Sequence, residues 1–484
     1  MIGLILSVLI LILIGAPLFA IVGVATTLCL SLFTDFNQFT DLKILIQQIE
    51  NLATKQEFLA IPLFIGSGAI MTAGGIAKRL VNLMEALFGW LPGGLAISAV
   101  AACMFFAAIS GSSPVTLIAV GSMMVPALLQ SKYPENFSIG LITTAGSLGC
   151  LVPPSISMLI YAISVSGSSA VDPSDMFLAG LIPAFLIAGM LSVYSMWTGH
   201  REEKKGIIQR APFSWSKIKE KSRDGMWSIF LPVLVLGGIY GGFYTPSQAG
   251  AVAIGYSLFV TIWIYRELTL SKVLESLKES ATLMGSLLPI IVLAFGLNDF
   301  LALIDVQEKL MNVVRELNPT PAEFMFMVNL VLIFLGALMD SISATLIFAP
   351  MLAPLASELL GIHPIHFGIV FVVNMEIGYL MPPIATNLFV ASAVFKKSFS
   401  QVTKAVLPTL GLTCIALVVI IFFPTFSLFS LNLRDGKSPW EPFPWKGRFN
   451  EKSETAEKNN SKAPNLKSLT GKMLEEMNEE EPKK

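Results

Sequence analysis

Charge is scarce in this chain. Only 13% of its 484 residues are Asp, Glu, Lys or Arg against 54% apolar residues, and the mean hydropathy is +0.72. That leaves too little polar surface to solvate a globule of this length, which excludes a soluble protein with one large core. The runs 4–14, 231–239 and 415–423 carry no charge at all, where helices of a soluble protein would need polar faces. Cysteine is nearly absent: Cys29, Cys103, Cys150 and Cys414 all stand in apolar stretches and read as packing residues, not disulfides or metal ligands. The three histidines, His200, His363 and His366, fall in loops or at span edges, and neither His-Glu-x-x-His nor Gly-x-Ser-x-Gly occurs. An enzyme is therefore not expected, nor a cofactor. The first apolar stretch lacks a basic region before it, so no cleavable signal peptide is expected. The net charge of -1 identifies no partner, and nucleic acid is not expected among them.

What the chain does have is a repeat. Shifted by 229 residues, Pro17 meets Pro246, Pro92 meets Pro321, Ser112 meets Ser341, Thr116 meets Thr345, Gly149 meets Gly378, and Pro153-Pro154 meets Pro382-Pro383. Such self-similarity in an apolar chain is the mark of transporters built from two halves. Spans are expected at 2–14, 17–31 and 59–75, a discontinuous pair at 93–110 and 114–130, a broken span at 137–165, and a span at 176–198. The second half repeats the order with 227–244, 247–265, 283–304, the pair 322–339 and 342–356, the broken span 366–395, and 404–430. Several pieces are shorter than the about 20 helical residues that cross a hydrocarbon core of about 30 Å. The expected fold is thus an all-α polytopic membrane protein with two re-entrant hairpins, at 93–130 and 322–356, and two broken helices. Its repeats are 1–226, ending in a cytoplasmic loop at 199–226, and 227–433; a hydrophilic tail, read as disordered, follows at 434–484.

Lysine and arginine counts orient the loops. Loops 76–92, 131–136, 199–226, 266–282 and 396–404 hold 17 Lys and Arg and belong inside; loops 32–58, 166–175, 245–247, 305–321 and 357–365 hold 4. Loop 76–92 is then inside while its shifted counterpart 305–321 is outside, so the halves are expected to be inverted. Segments 41–57 and 268–282 space apolar residues as one helical face opposite charge. They read either as helices lying in the membrane interface or as ordinary packed loop helices.

Chemistry concentrates at the hairpin tips. Residues 109–116, Ile-Ser-Gly-Ser-Ser-Pro-Val-Thr, end one apolar helix and start another, with Ser113 expected as N-cap and Pro114 at the first helical position. A helix start aims free N–H groups and a positive dipole end into the cavity, which suits an anion. Residues 339–345, Met-Asp-Ser-Ile-Ser-Ala-Thr, do the same with an added carboxylate. Asp340 is open to two readings, an intramembrane acid serving a functional site or a cap that satisfies backbone N–H groups. Each tip has a matching broken span: 146–155, Gly-Ser-Leu-Gly-Cys-Leu-Val-Pro-Pro-Ser, and 376–387, Glu-Ile-Gly-Tyr-Leu-Met-Pro-Pro-Ile-Ala-Thr-Asn. Paired prolines free upstream carbonyls such as those of Gly149 and Leu151, and carbonyls with serine hydroxyls make an all-oxygen setting suited to Na⁺. A proline kink without an ion is the alternative at either place.

These runs closely resemble the large membrane subunit of tripartite ATP-independent periplasmic (TRAP) transporters, in order and spacing over about residues 1–430. The resemblance implies a multi-pass secondary transporter of a bacterial inner membrane. A periplasmic binding protein would deliver an organic acid, and a Na⁺ gradient would drive an elevator motion of the hairpin domain against a frame. A small four-helix membrane subunit would enlarge that frame, as a separate partner since the chain begins with the large-subunit pattern. C4-dicarboxylates, sialic acid-like sugar acids and 2-oxo acids are the substrate classes left open.

Carried over residue by residue, one Na⁺ is expected near Ser110, Ser112, Gly149, Leu151 and Pro154, and a second near Asp340, Ser341, Gly378, Leu380 and Pro383. The tips differ, since Ser110-Gly111 corresponds to Met339-Asp340, so unequal affinities are expected. The organic anion is expected between Ser113, Ser155, Thr386 and Asn387. Pro114, Ala385-Thr386 and the tail depart from the family pattern. The alternative function is a Na⁺/anion symporter or cation antiporter on a related scaffold that needs no binding protein.

Overall fold

The computed structural model describes residues 18–33, 47–50, 54–166, 171–208, 212–383 and 385–445. The expected span 2–14, most of 41–57 and the tail beyond 445 lie outside the described residues. All regular structure among the described residues is helical, and eight helices are long and apolar enough to cross a membrane.

In chain order, α1 (Leu18–Phe33), α2 (Ala60–Ala73) and α3 (Ile76–Phe88) precede the pair α4 (Gly94–Ser110) and α5 (Ser113–Gln130). A broken element follows: α6 (Glu135–Ser147), a 3-10 turn Leu148–Cys150, and α7 (Ile156–Val165). Then come the long α8 (Pro173–Lys204) and α9 (Trp215–Tyr240). The order recurs with α10 (Pro246–Phe259), α11 (Leu270–Leu303), α12 (Val306–Leu317), the pair α13 (Pro321–Leu338) and α14 (Ser341–Pro354), and the broken α15 (Pro364–Gly378) and α16 (Thr386–Phe395). Helices α17 (Phe399–Phe422) and α18 (Thr425–Arg434) end the described fold.

Local chemistry sets these boundaries. Proline stands in the first turn of α8, α10, α13 and α15, where its missing N–H costs no helical bond. Thr245 and Thr320 close capping boxes with Gln248 and Glu323. Where α8 runs unbroken through Ser195, the chain 229 residues later meets Pro424 and splits into α17 and α18. The expected span 404–430 is therefore two helices.

Packing is reciprocal at the same offset. Helix α4 packs on α6 as α13 packs on α15; α5 on α16 as α14 on α7; α6 on α17 as α15 on α8; and α10 on α2 as α1 on α11. Small residues permit the close approaches, as where Gly336 and Gly378 back onto each other. Tyr161, Phe106, Phe367 and Phe371 fill the centre, all fully buried.

Three further expectations need correction. Segment 268–282 is not a separate interfacial helix: it is the first part of α11, continuous with the expected span, and its Val273 packs with Ile70 of α2. No helix breaker separates the two stretches. The expected loops 76–92 and 305–321 each contain an amphipathic helix, α3 and α12. Lastly, residues 435–445 fold back onto the end of α17. Phe443 is buried with its ring 5.5 Å from Phe422, and the Glu441 backbone N–H and carbonyl both bond to the Thr425 hydroxyl.

Candidate functional site

The first tip lies between α4 and α5. Gly111 turns the chain in the left-handed region (φ 60), and the N-cap of α5 is Ser112, extended at φ -136 and ψ 130, in place of the expected Ser113. Pro114 then falls in the first turn. Hydroxyls hold the tip together. Thr116 Oγ1 donates to the Ser112 carbonyl at 2.8 Å, and Ser110 Oγ lies 2.9 Å from Thr116 Oγ1. The break after α6 presses against this turn. A methyl group on Gly149 would stand 2.6 Å from the Ser112 carbonyl oxygen, and one on Gly111 would stand 2.4 Å from the Pro154 carbonyl oxygen. Only glycine allows that approach. Ser110, Ser112, Gly149 and Pro154 are thus gathered at one tip, whereas the Leu151 carbonyl lies against Gly180 of α8.

The second tip lies between α13 and α14, and Asp340 is the N-cap of α14. Its carboxylate accepts from the Ser343 N–H at 3.1 Å and from the Ser343 hydroxyl at 2.6 Å, with the side chain half-buried, so Asp340 is a cap, an arrangement compatible with a nearby cation. Thr345 Oγ1 donates to the Ser341 carbonyl at 2.6 Å, repeating the Thr116–Ser112 bond. Tyr379, between Gly378 and Leu380, joins this tip to the second break: its hydroxyl lies 2.9 Å from Ser341 Oγ and accepts from the Ser341 N–H at 3.3 Å. Ser157 of α7 completes the cluster, 3.1 Å from Ser341 Oγ.

The tips are not equivalent. Gly378 backs onto Gly336 of α13, while Gly149 backs onto the tip itself. Both proline pairs are cis, but Pro153-Pro154 is buried and Pro382-Pro383 is exposed.

Between the tips, Asn387 Nδ2 donates to Ser113 Oγ at 2.6 Å, both residues are buried, and Asn387 Oδ1 has no hydrogen-bond partner among the described residues. Helices α5 and α16 begin without side-chain caps, and Thr386 opens α16. By contrast α7 is capped by Ser155, whose hydroxyl oxygen accepts from the Met158 N–H while its O–H donates to the Cys150 carbonyl. Helices α5 and α16 meet at the Ser113–Asn387 contact, and open N–H groups lie chiefly at the start of α16, since Pro114 has none to give at the start of α5.

Comparison with known proteins follows from this arrangement. A sequence model of the tripartite ATP-independent periplasmic transporter, DctM component, matches residues 5–426. The chain belongs to this family. It is 41% identical to the C4-dicarboxylate TRAP transporter large permease protein DctM of Pseudomonas aeruginosa, over 76% of this chain and 85% of that one. It is 33% identical to the isethionate TRAP transporter permease protein DctMQ of Oleidesulfovibrio alaskensis, over 77% of this chain and 57% of that longer one. The solved YdaH transporter of Alcanivorax borkumensis shares the fold at TM-score 0.59 and 13% identity, over 90% of this chain and 99% of that one.

The protein is therefore a TRAP large permease, a multi-pass protein of the inner membrane and not an enzyme. Sequence reasoning did not single out Tyr379, Ser157, or the buried pair in which Ser147 Oγ donates to Glu376 Oε1 at 2.8 Å. The signal for the last was present, since Ser147 and Glu376 stand 229 residues apart. No Lys or Arg occurs in 93–130, 137–165, 322–356 or 366–395, so only helix ends and hydroxyls could hold an anion here.

Proposed function

We propose that this TRAP permease takes up a small organic acid by Na⁺-driven secondary transport, receiving it from a periplasmic binding protein and working beside a small membrane subunit. One Na⁺ binds at Ser110, Ser112, Gly149 and Pro154, without Leu151, whose carbonyl lies against α8, and the other at Asp340, Ser341, Gly378, Leu380 and Pro383. The acid sits between Ser113, Ser155, Thr386 and Asn387, although the Ser155 hydroxyl is already engaged with the Met158 N–H and the Cys150 carbonyl. The observation that carries this reading is the meeting of two uncapped helix starts at Ser113–Asn387, flanked by two oxygen-lined tips and free of basic side chains. Cations at the tips and a carboxylate between them attract one another strongly where water is scarce, which couples their binding. Relatives named for a C4-dicarboxylate and for isethionate both support a compact anion, with a C4-dicarboxylate as the first candidate.

In this reading 1–226 and 227–433 are inserted in opposite directions. Ser147 touches its own shifted counterpart Glu376, which two halves related by a two-fold axis do only at that axis. Reciprocal packing and the lysine and arginine bias of the loops support the same relation. The pairs α4–α5 and α13–α14 are then re-entrant hairpins. With α6, α7, α15 and α16 they form a body that moves against a frame of α1, α2, α10 and α11.

The test is uptake by the permease and small subunit in proteoliposomes supplied with the binding protein. Ser112→Ala or Asp340→Ala is expected to raise the half-saturating Na⁺ concentration by about tenfold, as loss of one hydrogen-bonding ligand implies; melting is expected to be unchanged in Ser112→Ala and lower in Asp340→Ala, which also loses the cap of α14. Wild-type Na⁺ dependence in both variants would remove the assigned cation sites.

A further inference from the structure

Helix α11 is apolar along its membrane part, yet it carries Asn298 on the side that faces α14. Asn298 Nδ2 donates to the Leu346 carbonyl at 2.6 Å, and its Oδ1 is buried without a partner among the described residues. Leu346 is in the middle of α14, where a carbonyl ordinarily accepts from the N–H four residues on. That residue is Pro350, which has no N–H to give. The carbonyl can only accept, so the amide must present its nitrogen to it.

We propose that Asn298 is a positioning residue of the transport cycle: by bonding the carbonyl that Pro350 frees, it latches the second hairpin to the frame in the conformer seen here. The proposal rests on the elevator reading above. Motion of α14 along α11 must break this bond and leave a carbonyl unpaired at membrane depth, so the bond favours the present conformer over any other. The device is one-sided. The positions 229 residues earlier are Ala69, Leu117 and Gly121, which supply neither amide nor proline. There the frame meets the first tip by bare packing, with a methyl on Gly68 of α2 standing 3.0 Å from the Ser110 Cα. The first hairpin can slide over α2, whereas the second must be released.

The experiment uses the full permease with its small subunit in lipid nanodiscs, native cysteines replaced and spin labels at Leu288→Cys on α11 and Val331→Cys on α13, both exposed on the chain. Asn298→Leu is expected to lower the ratio of the present conformer to the displaced one by roughly three- to tenfold, the range of one net hydrogen bond. Pro350→Ala restores the helical donor and is expected to lower the ratio in the same direction. Adding Asn298→Leu to Pro350→Ala is then expected to change nothing further. An Asn298→Leu effect of equal size in both backgrounds, or none in either, overturns the latch. A second distance present in the wild type but insensitive to Asn298→Leu defeats the latch alone; a single distance unmoved by Na⁺ and substrate defeats the elevator reading as well.

Discussion

Gly149 is where a single methyl group has the most leverage on the first tip. At 2.6 Å from the Ser112 carbonyl it forces the turn carrying Ser110 and Ser112 to move, and a shifted carbonyl is a poorer cation ligand. Gly149→Ala is expected to raise the Na⁺ concentration needed for uptake by about tenfold or more, while Gly189→Ala on α8, with nothing within 4 Å, leaves it unchanged. Equal Na⁺ curves for the two variants would contradict the placement. Residue-level legibility followed how local each bond is. Thr116 and Thr345 were visible as repeats because each bonds the carbonyl four residues before it, a contact that the helix alone dictates. Tyr379 was not visible, because its repeat position holds Cys150 and its role depends on a hydroxyl 38 residues away.

Among elements, the broken spans were the most legible, since Pro-Pro removes two successive helical donors whatever surrounds it. The amphipathic α3 and α12 were hidden for a related reason: a stretch too polar to span reads as loop when only hydropathy is weighed, and only their 3.6-residue spacing marks them as helices. They differ in use. Helix α3 buries Ile76, Leu80 and Met84, and at its start the Arg79 guanidinium bonds Glu267 at 2.7 Å and lies 3.8 Å from the Tyr265 ring. Helix α12 has no buried residue. Arg79→Ala is expected to destabilise the permease by about 1–3 kcal/mol, through loss of a charge-assisted pair and a stacked cation, read as a lower melting temperature; unchanged melting would show α3 to be held by packing alone. The tail divides at the same scale. Truncation after 445 is expected to leave melting and uptake at wild-type values. Truncation after 434 also removes Phe443, whose burial contributes about 2 kcal/mol, and is expected to lower the melting temperature. Equal melting of the two truncations would argue against the fold-back, and loss of uptake on truncation after 445 would give the distal tail a part in transport.

For the whole molecule, an all-helical, multi-pass fold and the family were legible from composition, the 229-residue shift and the proline-centred motifs. These signals survive because lipid forces every backbone group to be satisfied within the chain, which confines breaks to protein-lined places. The sequence already set the tips apart at Ser110-Gly111 against Met339-Asp340; what it could not supply was how they differ in packing, one closed over a buried proline pair and the other bridged by Tyr379 beside an exposed one. That difference comes from packing between elements far apart in the chain. The account as a whole stands on cation coupling. In proteoliposomes holding the permease and its small subunit, with substrate delivered by the binding protein, initial uptake is measured as external Na⁺ is replaced by K⁺ at constant ionic strength. The account predicts that uptake falls to the leak rate and that its Na⁺ dependence is steeper than a single site allows; uptake at full rate in K⁺ would contradict it.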